Sequence, residues 1–171
     1  MQSPHVRPLD LTDDATAAAV HRIGRAAYTV EAELIGFDGI PALGESLAEM
    51  RAQALHWVGA VSADGELAGF LAWAEEPTGG PDIGIDRLCV APAFFRRGIA
   101  SLLRHALAEL FPGRPVQVTT GAANTPAVRL YEALGFTRGP DFSPVPGLVM
   151  ASFSRPTAAR PQGPGTRPGT S

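Results

Sequence analysis

A chain of 171 residues, 45% hydrophobic and 18% charged, carries enough apolar material for one domain with its own core. No apolar run is long enough to cross a bilayer, the start "MQSPHVRPLDLTDD" lacks a secretory pattern, and one cysteine, Cys89, allows no internal disulfide. A net charge of −3 and the lack of any nucleic-acid motif argue against a nucleic-acid partner, so the expectation is a cytoplasmic protein with no membrane partner and no metal site.

In chain order, "HVRPLDL" predicts a short first strand, and Pro8 places it at a sheet edge. Asp13 or Asp14 caps a helix running through "ATAAAVHRIGRAAYTV", where Ala17, Val20, Ile23, Gly24, Ala27 and Tyr28 recur at helical spacing. "EAELIGFDGIPALG" is a helix end followed by a loop, and residues 45–55 suit a second helix. Residues 56–61 and 66–75 form a hairpin around "ADG", and "PTGGP" is a further turn.

"DIGIDRLCVAP" predicts a third strand, and "SLLRHALAEL" is an amphipathic helix through Leu102, Leu103, Ala106, Leu107 and Leu110. "VQVTT" is a strand, and "NTPAVRLYEALGF" a helix with Asn124 at its cap, Pro126 in its first turn and Gly135 at its stop. "LVMASF" is the last strand. The Pro/Gly/Arg-rich remainder has little that can pack, so the expected division is a domain over 1–154 and a disordered tail over 155–171. This order predicts one α/β (or α+β) domain with a mixed sheet.

Between the third strand and the next helix lies "CVAPAFFRRGIASLL". A helix start leaves about four N–H groups without internal partners and carries partial positive charge. Gly98 permits close backbone approach, Arg96 and Arg97 add charge, and Ala100 and Ser101 leave room beside the first turn. Such a turn suits a pyrophosphate. It is neither a P-loop nor a dinucleotide fingerprint, because Gly-Lys-Ser/Thr and Gly-x-Gly-x-x-Gly are both absent.

Taken with "NTPAVRLYEALGF", this stretch resembles two motifs of the GNAT family, the GCN5-related N-acetyltransferases. The first motif there is an apolar strand ending in Val-x-Pro, then Arg/Gln-x-x-Gly-x-Gly/Ala opening a helix. The second is an Asn, a Tyr seven residues on, and a Leu-Gly-Phe ending. The resemblance is specific over residues 82–136. It implies a mostly antiparallel central sheet flanked by helices, with a V-shaped splay between the central strands. It also implies acetyl-CoA as donor to a primary amine, a cationic small molecule in our reading.

By position, the Val90 N–H would bond the thioester carbonyl, with Leu88 and Cys89 beside the pantetheine arm. The N–H groups of Arg96, Arg97, Gly98, Ile99, Ala100 and Ser101 would cradle the pyrophosphate. Asn124 would place the pantetheine, and Tyr131 would stand near the sulfur as general acid. Phe95 and Arg96 depart from the pattern, standing where Arg/Gln and often Gly are usual. The glutamate that many protein-acetylating members carry before the second motif corresponds here to Thr119.

For the general base the alternation of the strand nominates Asp86, four residues before Val90 and so on its face, with Glu33 and His56 as weaker candidates. Residues 26–86 hold eleven acids and one base, whereas residues 87–171 hold ten arginines and three acids. That split suits a polyanionic cofactor on the C-terminal part and a cationic acceptor near Glu31 and Glu33, with Trp73 lining its pocket. Other readings are a non-catalytic acyl-CoA sensor or partner domain, and a protein or peptide N-acetyltransferase. A homodimer is a possible assembly.

Overall fold

The computed structural model describes residues 3–75 and 82–155. The "PTGGP" turn and the chain beyond Arg155 lie outside the described residues. The first strand, β1 (His5–Pro8), leads into α1 (Asp14–Ile35). Asp13 is the cap: its Oδ2 accepts from the Thr16 N–H at 2.9 Å and from the Thr16 hydroxyl at 2.7 Å. The helix runs five residues past Val30 and stops at Gly36, whose φ of 65° is a conformation glycine takes without strain. Two short helices follow, α2 (Pro41–Gly44) and α3 (Leu47–Ala52). Ser46 and Glu49 close a capping box at the start of α3, so that helix is shorter than residues 45–55 suggested.

The hairpin strands are β2 (His56–Val61) and β3 (Leu67–Glu75), followed by β4 (Ile83–Val90). A single 3-10 turn, Pro92–Phe94, precedes α4 (Ile99–Leu110). Then come β5 (Val116–Gly121), α5 (Thr125–Ala133), the two-residue β6 (Thr137–Arg138) and β7 (Met150–Arg155). The last strand therefore runs through Ser154 to Arg155, the residue at which the tail was expected to begin. They pair with Gln117 and Val116, and the Arg155 guanidinium donates to the Phe111 carbonyl at 3.1 Å.

The sheet order is β1-β2-β3-β4-β5-β7-β6, and every adjacent pair is antiparallel except β4 and β5. Those two are parallel because α4 carries the chain back across the sheet between them. Their ladder contains only Ile83 opposite Val116 and Gly84 opposite Gln117. Beyond Gly84 the strands separate, which is the expected splay. On one face, α4 and α5 bury Leu103, Leu107, Val128 and Tyr131 against Val116 and Phe153. On the other, α1 and α3 bury Val20, Ile23 and Met50 against Trp57 and Phe70.

The β3–β4 ladder carries a register shift. Ala72 faces Arg87 and Trp73 faces Ile85, so Asp86 is the extra residue of a bulge. Past the bulge the faces exchange: Ile83 and Ile85 pack with Leu88 and Val90, whereas Cys89 packs toward α1. Arg87 is almost fully buried among polar partners. Its guanidinium donates to both Glu45 oxygens, at 2.5 and 2.9 Å, and its Nε to Asp86 Oδ2 at 2.7 Å. It also lies 5.6 Å from the Trp57 ring centroid. Gln53 donates to the same Glu45 carboxylate, and His21 bonds the Glu45 carbonyl at 2.8 Å. The loop between α2 and α3 is thus tied to the centre of β4.

Candidate active site

The splay opens a cleft of about 680 Å³ that passes from one face of the sheet to the other. Its walls are the end of β4, the start of α4, the start of α5 and one face of α1. Leu88, Cys89, Val90, Arg96, Gly98, Ile99, Ala100, Ser101 and Asn124 all line it. Arg97 is absent from the wall; its guanidinium lies 5.7 Å from the Phe94 ring centroid.

The direction of the Val90 N–H follows from the ladder. The Ala91 N–H donates to the Ala68 carbonyl at 2.8 Å, so it points at β3. Successive amides alternate, and Val90 forms the next, non-hydrogen-bonded pair with Gly69. Its N–H therefore turns toward the gap that β5 has left. Gly69 allows the strands this close: a Cβ there would stand 2.6 Å from the Cys89 carbonyl oxygen and 3.1 Å from Ile99 Cγ2. We expect Gly69→Ala to cost about 1–3 kcal/mol in urea unfolding, since backbone must shift to admit the methyl group.

At the start of α4, Gly98 takes φ 80° and no side chain caps the helix. The first helical bond is from the Leu102 N–H to the Gly98 carbonyl, at 3.0 Å, so the N–H groups from Gly98 to Ser101 have no helical acceptor, whereas the Arg97 N–H, expected in the same cradle, is already held by the Phe94 carbonyl at 3.3 Å. Arg96 has φ 62°, the one positive value on a non-glycine among the described residues. Glycine at this position, usual in the resembled motif, would be at home, whereas arginine costs about 1–2 kcal/mol of strain and adds a charge at the mouth of the turn. Asn124 caps α5 through Oδ1, which accepts from the Ala127 N–H at 3.3 Å, leaving its amide N–H₂ for the cleft.

Tyr131 is 5% exposed and packs against Phe136 and Phe153, with ring centroids 5.7 and 5.5 Å away. Burial pushes its phenol well above the ordinary value, and the nearby Cys89 and Glu31 add to the shift. The group thus stays protonated at neutral pH, as a proton donor must. It sits in the core on the α5 face, behind the cleft wall that Asn124, Pro126, Ala127 and Leu130 form, and is not itself one of the lining residues. Burial likewise pushes the Cys89 thiol up to about 12, which keeps it an inert packing group.

Three expectations are corrected. Asp86 was placed on the face of Val90 by strict alternation, but the bulge breaks that alternation and Arg87 holds its carboxylate. Trp73 does not line this cleft: it stacks on His56 at 5.5 Å and meets Phe111 edge-on at 5.2 Å, beside a separate cleft of about 580 Å³. Glu33 is exposed and absent from the wall, because two residues along a helix turn a side chain about 200° from Glu31. Glu31 does line the cleft, and the buried Thr120 donates to its Oε1 at 3.4 Å. Thr119, its neighbour, is exposed. Sequence reasoning missed the α1 wall of Ala27, Tyr28, Val30 and Leu34, although their helical spacing with Glu31 was the available signal.

A model of the acetyltransferase (GNAT) family matches residues 19–136. The chain belongs to that family. UPF0157 protein YqkA of Bacillus subtilis (strain 168) is 34% identical over 128 residues, 74% of this chain and 36% of its own length. The chain therefore spans about a third of that relative. Ribosomal-protein-S18-alanine N-acetyltransferase from Escherichia coli superposes with a TM-score of 0.68 at 18% identity, covering 95% of this chain and 99% of that one. A spermidine N-acetyltransferase SpeG chimera, from Vibrio cholerae and hSSAT, gives 0.67 at 17% identity, covering 90% and 95%. These likenesses place the sheet, its splay and its flanking helices in the GNAT fold.

Proposed function

We propose that the protein transfers the acetyl group of acetyl-CoA to a primary amine. The observation that carries this reading is the Val90 N–H turned into the gap between β4 and β5, with an uncapped helix start at one side of the same cleft. The cosubstrate supplies an activated acetyl thioester and a thiolate leaving group. Ile99, Ala100 and Ser101 bind its diphosphate through their N–H groups, and Arg96 adds a mobile positive charge. Leu88 and Val90 flank the pantetheine, and the Asn124 amide donates to it.

The Val90 N–H polarises the thioester carbonyl and holds the negative charge that develops on its oxygen. A neutral amine forms the new C–N bond as the C–S bond breaks. Tyr131 gives its hydroxyl proton to the departing sulfur, and the proton shed by the attacking nitrogen returns to the phenolate through water. Among the described residues no membrane-spanning helix is present, and the reading needs no partner beyond donor and acceptor.

Thiol release from acetyl-CoA, followed across a panel of amines and basic peptides with calorimetric CoA binding alongside, tests the proposal. Turnover with an amine is the expected result. Tight CoA binding without turnover on any acceptor would favour a sensor, and no CoA binding would remove the site itself.

A further inference from the structure

The acid-rich stretch of residues 26–86 suggested an acceptor drawn in by many carboxylates, but the structure ties several of those carboxylates up elsewhere or places them away from the cleft. Glu45 and Asp86 are held by Arg87, Glu49 closes the α3 capping box, and Glu33 and Asp38 are exposed away from the cleft. Glu31 is the single carboxylate on the cleft wall, and among the described residues no cation pairs with it. Thr120 reaches it from β5, across the base of the gap. Apart from the Tyr28 phenol, the rest of the α1 wall is apolar: Ala27, Val30 and the 48% exposed Leu34 lie within one turn of Glu31. The diphosphate turn stands at α4, on the opposite face of the sheet, so the α1 wall is free for the acceptor.

We propose that the acceptor is a primary monoamine bearing an apolar group, aromatic or aliphatic, with its ammonium on Glu31 and its body along Ala27, Val30 and Leu34. This rests on the acetyl-transfer reading and names its substrate class. A polyamine would press a second ammonium onto an apolar wall and lose its hydration without a carboxylate in return. An amino sugar would leave hydroxyls along Ala27, Val30 and Leu34 without partners. Glu31 thus serves twice, drawing in the cation and, after water has taken one proton from the ammonium, holding the neutral amine at its distance from the thioester, while Thr120 positions the carboxylate.

Steady-state thiol release from acetyl-CoA with 2-phenylethylamine, hexylamine, 1,6-diaminohexane, spermidine and glucosamine tests this. The two apolar monoamines should exceed the other three in kcat/KM by roughly tenfold or more. Glu31→Gln should raise KM for hexylamine by about tenfold while CoA affinity, measured calorimetrically, stays unchanged. Leu34→Glu, which adds a second carboxylate one turn from the first, should narrow the gap between hexylamine and 1,6-diaminohexane. Preference for spermidine or glucosamine, or a KM indifferent to Glu31→Gln, overturns the acceptor class and leaves acetyl transfer standing. CoA binding with no thiol release for any amine overturns the transferase reading, and the acceptor class falls with it.

Discussion

Tyr131→Phe should lower the rate of thiol release by about 10²-fold or more, with CoA affinity changed less than about twofold. The ring is what Phe136 and Phe153 pack against, and phenylalanine keeps it. Among the described residues no side chain bonds the hydroxyl, yet no fully buried side-chain oxygen or nitrogen lacks a partner, so this oxygen retains some contact with solvent. Removing it should leave the fold within about 1 kcal/mol of wild type. The substitution therefore separates chemistry from packing. A variant that keeps full turnover would assign Tyr131 to the core and require another proton donor for the thiolate. Loss of CoA binding together with turnover would instead show that the phenol holds the cofactor.

Arg87→Ala should lower the free energy of unfolding by about 3–5 kcal/mol at neutral pH, the largest stability loss we expect from one substitution. Glu45 is nearly as buried as Arg87 and would keep its charge with the guanidinium gone. The Arg87 hydrogen bonds hold the Glu45 carboxyl below the ordinary carboxylate value, against the opposing effect of burial. A depressed folded pKa gives stability that is complete above the unfolded carboxylate value, near ~4.3, and is lost as pH falls through the folded value. Wild type should therefore lose stability in acid, and the gap to Arg87→Ala should narrow there. Urea unfolding of both at pH 7 and pH 3 checks the sign. A neutral-pH loss under about 1 kcal/mol, or a gap that widens in acid, would contradict it. Pairing Arg87→Met with Glu45→Gln should restore part of the loss, because neither partner then leaves a buried charge.

The fold was legible where periodicity and breakers agree. Pro8 at an edge, Asn124 with Pro126 at a helix start, and Gly135 at its end each act through local chemistry, and each landed where expected. The β4–α4 wall of the cleft was legible for the same reason: a strand, a glycine turn and a helix start are contiguous in sequence, from Leu88 to Ser101. The α1 wall was not, because the cleft is assembled there from distant elements. Alternation along β4 carries no sign of the bulge at Asp86; the shift arises from pairing with β3 and from the pull of Glu45 on Arg87. Trp73 gave no cue that a histidine and a phenylalanine from other elements enclose it. The charge split misled in a similar way, since ion pairs such as Glu45 with Arg87 join its two halves. Gly36 did mark the true end of α1, and extending the helix to it places Glu31 and Leu34 on the wall that begins at Ala27.

Backbone amide shifts on titration with CoA and then acetyl-CoA test the central claim most directly, because the claim concerns N–H groups. Both ligands should move Gly98, Ile99, Ala100 and Ser101 most, through the diphosphate. Val90 should respond far more to acetyl-CoA than to CoA, since the acetyl carbonyl alone gives its N–H a new acceptor. Unmoved Val90 and α4 amides, or shifts centred on His56 and Trp73, would contradict the account.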